Sequence, residues 1–257
     1  MTRQRASESF TKDHADLVPD VVKSQVADPE LVQRRREQIA AAAAELFSKN
    51  GFYRTTMQQL ARQCGFSSGL IYQYAETKED VLLLALLHVM NRFRREIEQA
   101  EDAESPLERV FIALEAYCRV VDQFKAAAML AYRSTMSLPL EHRSYIKNAE
   151  IATNELIAAR VRDCIEAGFF RKVDADLVTY QLVLHAHAWS LKSWRFNKLI
   201  TFDDYVASGF DMFVLALATD SGRQEYQRFL ASRKKAAKSK RRSPASADGG
   251  QQPGKRS

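Results

Sequence analysis

The sequence predicts an all-α protein, and three observations carry that expectation. Apolar residues recur every three or four positions from Leu31 to about Asp220, Ser/Thr/Asp caps open successive segments, and no alternating β-branched run is bounded by turn residues. With 46% apolar and 27% charged residues among 257, and only 9 Gly and 6 Pro, the chain can bury a sizeable core. Periodicity and caps together suggest about nine helices.

Residues 1–30 are polar and unpatterned, contain Pro19 and Pro29, and read as a disordered arm. A first helix over 31–50 carries Leu31, Ile39, Ala42, Ala43, Leu46 and Phe47 on one face and stops at Asn50-Gly51. Thr55 and Thr56 offer N-caps, each with a Gln three residues on, for a short second helix over 56–63. Cys64-Gly65-Phe66 is a tight turn in which Gly65 can take the left-handed conformation, and Ser67 caps a brief third helix over 68–74. Thr77 and Asp80 form a capping box for a long helix over 78–100. Ser105-Pro106 opens the next, with Leu107, Val110, Phe111, Leu114 and Tyr117 on one side. A short helix over 124–135 stops near Leu138-Pro139, a long one over 140–167 ends at Gly168, and 174–196 and 202–219 are the last two. Residues 222–257 lose the periodicity and read as a disordered basic tail.

Composition narrows the function. The longest apolar runs, such as 39–44 and 81–87, are far short of the ~20 residues a bilayer span needs, so no membrane partner is expected. The N-terminus lacks the apolar centre of a secretory signal, which favours a cytoplasmic protein. Cys64, Cys118 and Cys164 form no C-x-x-C pair, arguing against a disulfide framework or a zinc site. His185 and His187, two residues apart, point to different sides of a helix rather than chelating a metal. No Ser/His/Asp cluster, paired-carboxylate motif or phosphate loop suggests catalysis, so neither an enzyme nor a cofactor is expected. The net charge of +6 is uneven: −2 over 1–30, +4 over 31–78, −4 over 79–230 and +8 over 231–257. A basic module and a basic tail flanking an acidic body point to nucleic acid.

Two short helices joined by a Gly-containing turn, inside a three-helix basic module, have the form of a helix-turn-helix. Its second helix enters the major groove, so Ser67, Ser68, Gly69, Tyr72, Gln73 and Tyr74 are expected to face DNA. Gln73 can pair with adenine, Ser68 can bond either base type, and Tyr72 or Tyr74 can reach a phosphate. Gly69 removes a side chain where the helix comes nearest the duplex. Arg34, Arg35 and Arg36 are three adjacent cations suited to phosphate contact.

The series Ile39-Ala40-Ala41-Ala42-Ala43-Ala44-Glu45-Leu46-Phe47, Gly51-Phe52, Thr55-Thr56, Leu60-Ala61, Gly65-Phe66-Ser67-Ser68-Gly69, Ile71-Tyr72-Gln73-Tyr74 and Thr77-Lys78-Glu79-Asp80 resembles the TetR-type transcriptional regulators. One departure is Ala75, where that family usually places Phe. The resemblance implies backbone contacts by Thr56, Tyr72, Tyr74 and Lys78, and Ser67, Ser68, Gly69 and Gln73 near bases; Thr55, Arg34 and Arg35 complete the candidate DNA-binding set. It implies a helix-turn-helix domain over 31–78 and a helical effector-binding and dimerisation domain over 79–221. His88, Tyr117, Tyr132, Arg133, His185 and Trp189 are candidates to line an effector pocket, and Val183, His187, Leu191, Trp194 and Phe213 to face a partner subunit. The run from His187 to Trp194 looks like members that sense acyl-CoA or related thioesters. The function expected is a homodimeric repressor on a palindromic operator, released by a small molecule that tilts helix 78–100. Two alternatives are a non-specific DNA-compacting protein driven by the tail, and an all-α binding protein with a vestigial helix-turn-helix.

Overall fold

The computed structural model describes residues 21–98, 103, 105–125, 129, 132, 135 and 138–242, the side chains of 236–242 excepted. Ten helices occur among them: α1 (Pro29–Asn50), α2 (Met57–Cys64), α3 (Ser68–Tyr72), α4 (Lys78–Glu98), α5 (Pro106–Gln123), α6 (Leu140–Glu166), α7 (Ala175–Leu191), α8 (Ser193–Phe196), α9 (Phe202–Leu217) and α10 (Asp220–Arg242). No strand is present among these residues; one isolated bridge joins Phe170 and Ala218.

Caps begin most elements where short polar side chains allow. The Asp28 carboxylate accepts the Glu30 and Leu31 amides ahead of α1, Ser105 caps α5, Asp174 caps α7 and Thr201 caps α9. One core runs through both parts of the chain, from Ile39, Phe47 and Ile71 to Val81, Phe93, Leu114, Val161 and Phe210. Helix α4 has buried residues from Asp80 to Ile97 and packs on α1, α5 and α6. It therefore joins the helix-turn-helix to the body as a packed shaft rather than a flexible linker.

Three expectations are corrected. Residues 21–28 are not part of a free arm: Val22 is 2% exposed, and the Gln25 N–H and Ser24 hydroxyl both donate to the Gln73 carbonyl. The predicted arm over 1–20 lies outside the described residues. The single helix over 174–196 breaks at Lys192, which lets Phe196 fold back onto Trp189 and Tyr205 with ring centroids 6.2 and 5.1 Å apart. The tail is helical to Arg242, because Tyr226 and Phe229 bury against Phe210 and Phe111, and the Arg233 guanidinium lies 4.3 Å from the Phe111 ring. Its periodicity is confined to that first half, whereas the lysine-rich remainder shows none. Most of the predicted helix over 124–135, and residues 243–257, lie outside the described residues.

Candidate nucleic-acid interface and the interior of the body

Local chemistry builds the helix-turn-helix almost alone. After α1 ends at Gly51, Phe52 folds back edge-on against Phe47, centroids 5.3 Å apart, and presents Tyr53 and Arg54 to solvent. Thr56 and Gln59 form a reciprocal capping box: the Gln59 amide donates to Thr56 Oγ1 at 3.2 Å, and the Thr56 amide to Gln59 Oε1 at 2.8 Å. Gly65 closes α2 at φ 69° and ψ 28°, where a side chain would be strained. Ser67 then caps α3 by accepting the Leu70 amide at 3.1 Å. Ile71 anchors α3 in the core and turns the opposite side outward.

That outward side carries Ser67, Gly69, Tyr72 and Gln73, with Ser68 partly exposed. A Cβ built at Gly69 meets nothing within 4 Å, so no neighbour in this chain requires a glycine there. Thr56 and Arg34 are exposed, and Arg35 stacks its guanidinium 5.0 Å from the Phe66 ring beside the turn. Lys78 holds its ammonium 4.4 Å from the Phe52 ring at the start of α4, and burial pushes its pKa down. Exposed Tyr53, Arg54 and Arg62 border the same surface and were missed, since single polar residues in a turn or on a polar helix face carry no pattern.

Three residues are placed elsewhere. Tyr74 is 3% exposed and Thr55 1%, the latter donating its hydroxyl to the Gly51 carbonyl at 2.9 Å, so both are packing groups. Arg36, read as one of three phosphate-facing cations, is 5% exposed. Its Nε donates to the Tyr74 carbonyl at 2.8 Å and Nη2 to that of Val22, so it ties α1 to the end of α3 and the preceding segment. Ala75 is fully buried beneath α3, filling with a methyl the place where a larger ring was expected.

In the body, two tyrosines and a histidine meet. Tyr117 Oη lies 3.1 Å from His187 Nε2, and Tyr132 Oη 2.9 Å from His187 Nδ1. Burial lowers the His187 pKa from 6.5 to about 4 and raises that of Tyr117, with the Glu150 charge adding to the latter. Burial likewise raises Glu150 and Tyr132. A neutral imidazole has one N–H for two phenols, so one tyrosine donates to it and the other accepts. The accepting tyrosine keeps an O–H to offer to a third group.

The remaining pocket candidates divide. His185 stacks on Tyr205 at 4.4 Å, and Trp189 donates its indole N–H to Asp122 at 2.5 Å; both face α9 and its approach rather than the Tyr117 cluster. His88 is half-buried on α4 and shares no hydrogen bond with that cluster; burial, then Arg92 and Arg95, lower its pKa. Arg133 lies outside the described residues.

The dimer candidates are corrected in part. Val183 is buried in the core and His187 belongs to the interior cluster, because the stripe they share faces inward. Leu191 and Phe213 are partly buried, and Trp194 stays exposed on α8. The apolar residues turned outward are Leu177, Tyr180 and Leu184 on α7 with Met212 and Leu215 on α9. Periodicity alone revealed two apolar stripes on α7 without saying which was outside.

Among the described residues no helix is long and apolar enough to cross a membrane. Residues 39–85 match the family model "Bacterial regulatory proteins, tetR family", and 103–194 match "Tetracyclin repressor-like, C-terminal domain". The chain is 45% identical to the HTH-type transcriptional regulator HbdR of Aromatoleum sp. (strain CIB) over 203 residues, covering 79% of this chain and 89% of that one. Among solved structures, AibR in complex with isovaleryl coenzyme A and operator DNA aligns with TM-score 0.58 at 18% identity, over 69% of this chain and 97% of that one. FadR of Bacillus subtilis, in complex with stearoyl-CoA, aligns with TM-score 0.58 at 18% identity, over 69% and 96%.

Proposed function

From the premise that this chain belongs to the TetR family and is a DNA-binding transcriptional regulator, we propose that it is a homodimeric repressor of a palindromic operator, released by a thioester of coenzyme A. Ser68 and Gln73 read base edges. Tyr72, Thr56, Arg34, Arg35 and Lys78 hold the phosphates, Ser67 lies near the bases, and Gly69 lets the duplex come close. The exposed apolar face of α7 and α9, centred on Leu177, Leu184, Met212 and Leu215, is the partner-binding surface; its stripe fits a two-fold bundle and sets the recognition helices roughly 34 Å apart. The DNA-binding domain is proposed to span 31–78, with the preceding residues 21–28 packed onto it, and the effector domain 79–221.

The observation that carries the effector reading is the Tyr117–His187–Tyr132 cluster. A neutral set of groups, Tyr117 buried, His187 partly buried and Tyr132 open to solvent, with one phenol proton to spare, suits an uncharged acceptor such as the carbonyl oxygen of an acyl thioester. A charged carboxylate would have to shed its water beside Glu150. AibR and FadR were solved with acyl-CoA compounds bound. Binding favours a state in which α4 tilts and moves the paired recognition helices out of register.

The test is a gel shift on the DNA upstream of the protein's own gene, with excess competitor, repeated with a panel of CoA thioesters and the matching free acids. A specific shift released by a thioester and not by its acid is expected. A specific shift that no compound releases overturns the effector class, and retarded DNA without sequence preference moves the function to non-specific binding.

A further inference from the structure

A buried polar pair between the two halves of the molecule has no part in the function so far. Asp80, the third residue of α4, accepts the Thr77 amide on Oδ2 at 2.9 Å, while its Oδ1 lies 3.3 Å from His142 Nε2. Both side chains are almost fully buried, and His142 Nδ1 has no hydrogen-bond partner among the described residues. On the other side, the Asp80 charge acts on Arg36, whose guanidinium holds the carbonyls of Tyr74 and Val22.

For stability alone this is a poor arrangement. Burying a carboxylate and a half-satisfied imidazole costs more than packing apolar groups of the same volume, and an orphaned ring nitrogen adds to the cost. What the arrangement supplies is direction. His142 lies in the first turn of α6, so it ties the start of that helix to the start of α4. Arg143 in the same turn donates to the Leu138 carbonyl at 2.7 Å and steadies the start of α6. Contacts therefore run from the first turn of α6 through His142 and Asp80 to the cap of α4, directly after the turn whose Tyr74 carbonyl Arg36 holds.

We propose that His142 is a positioning residue for DNA recognition: through Asp80, which caps α4 directly after the turn that ends α3, it sets that turn, and with it Arg36 and the packed segment 21–28, against the body. This rests on the DNA-binding function proposed above. It differs from a tilt of α4 alone, since α6 grips the recognition unit at the cap.

Hydrogen exchange on the free full-length protein tests it without DNA or effector. His142→Ala should speed exchange about tenfold at the amides of Tyr74, Ala75 and Gln25, which bond to Ile71, Ile71 and Gln73, and leave those of α9 unchanged. His142→Gln, whose amide can donate to Asp80, should restore protection. A change confined to the first turns of α6, or spread evenly through α9, overturns the proposal, as does failure of Gln to rescue. If His142→Ala does not fold, Asp80→Asn is measured by the same readout. Operator binding is measured in parallel: a wild-type protein that binds no specific DNA sinks the proposed function, while the exchange pattern judges the coupling by itself.

Discussion

The surface of α3 and the interior of the body hold polar groups under opposite constraints. Around α3 the polar side chains are exposed or act as caps, each placed by residues two to four positions away, as with Thr56 and Gln59 or Ser67 and Leu70. In the body Tyr117, Tyr132 and His187 come from three separated segments and are held by tertiary packing, His187 lying 70 residues from Tyr117 and 55 from Tyr132 in sequence. Substitutions at the first surface should therefore change binding with little effect on folding, and substitutions in the interior should change both. Arg36 crosses this boundary: it belongs to the basic module by sequence and to the interior by burial.

The sharpest way to break the comparison is to separate the adjacent arginines. Arg36→Met leaves two buried carbonyls without a donor and should cost about 3–5 kcal/mol in urea unfolding, with specific DNA binding lost. Arg34→Ala should change stability by less than about 0.5 kcal/mol and lower only the salt-dependent part of binding. Equal effects from both would erase the boundary.

A second test uses acid. The folded-state pKa of His187, about 4, lies below its ordinary 6.5, so the unfolded chain takes up a proton that the native chain refuses. This contribution to stability is complete above pH 6.5, falls as pH drops, and levels off below about pH 4, a loss of about 3 kcal/mol. His185 and His88, also lowered by burial, act in the same direction. The difference between wild type and His187→Gln, in urea melts at pH 7 and pH 4.5, isolates the His187 share. An unchanged pH slope in the variant would mean that the imidazole is hydrated.

Gln73→Ala should weaken operator binding about 10- to 100-fold, the equivalent of 1–3 kcal/mol, while the melting curve stays put. A comparable loss on unrelated DNA would show that Gln73 touches phosphate instead of a base. The smallest effect belongs to the end of the chain. Residues 243–257 carry Lys255, Arg256 and Asp248, so their deletion should change the slope of log affinity against log salt by less than about 2.

The helix-turn-helix was legible because its rules are local. Caps, the Gly65 turn and the apolar spacing of Leu60 and Ile71 need no knowledge of the rest of the fold. Arg36, Tyr74 and Thr55 were misplaced because polarity says nothing about what waits inside: two carbonyls claim the guanidinium, and a packed turn claims the rings and hydroxyl. In the body Tyr117 and Tyr132 were singled out and His187 was assigned to the outside, since α7 is apolar on both sides. The helix of α10 was hidden by the lysines that follow Phe229, and the strap of 21–28 by its brevity.

The most direct measurement of the central claim is selection of bound duplexes from a random DNA pool by the full-length protein. Enrichment of a palindrome whose half-sites lie about one helical turn apart or a multiple of it, abolished by Gln73→Ala, is the predicted result. A bound pool with no enriched sequence, or one whose enrichment survives Gln73→Ala unchanged, would contradict a dimeric regulator that reads bases from α3.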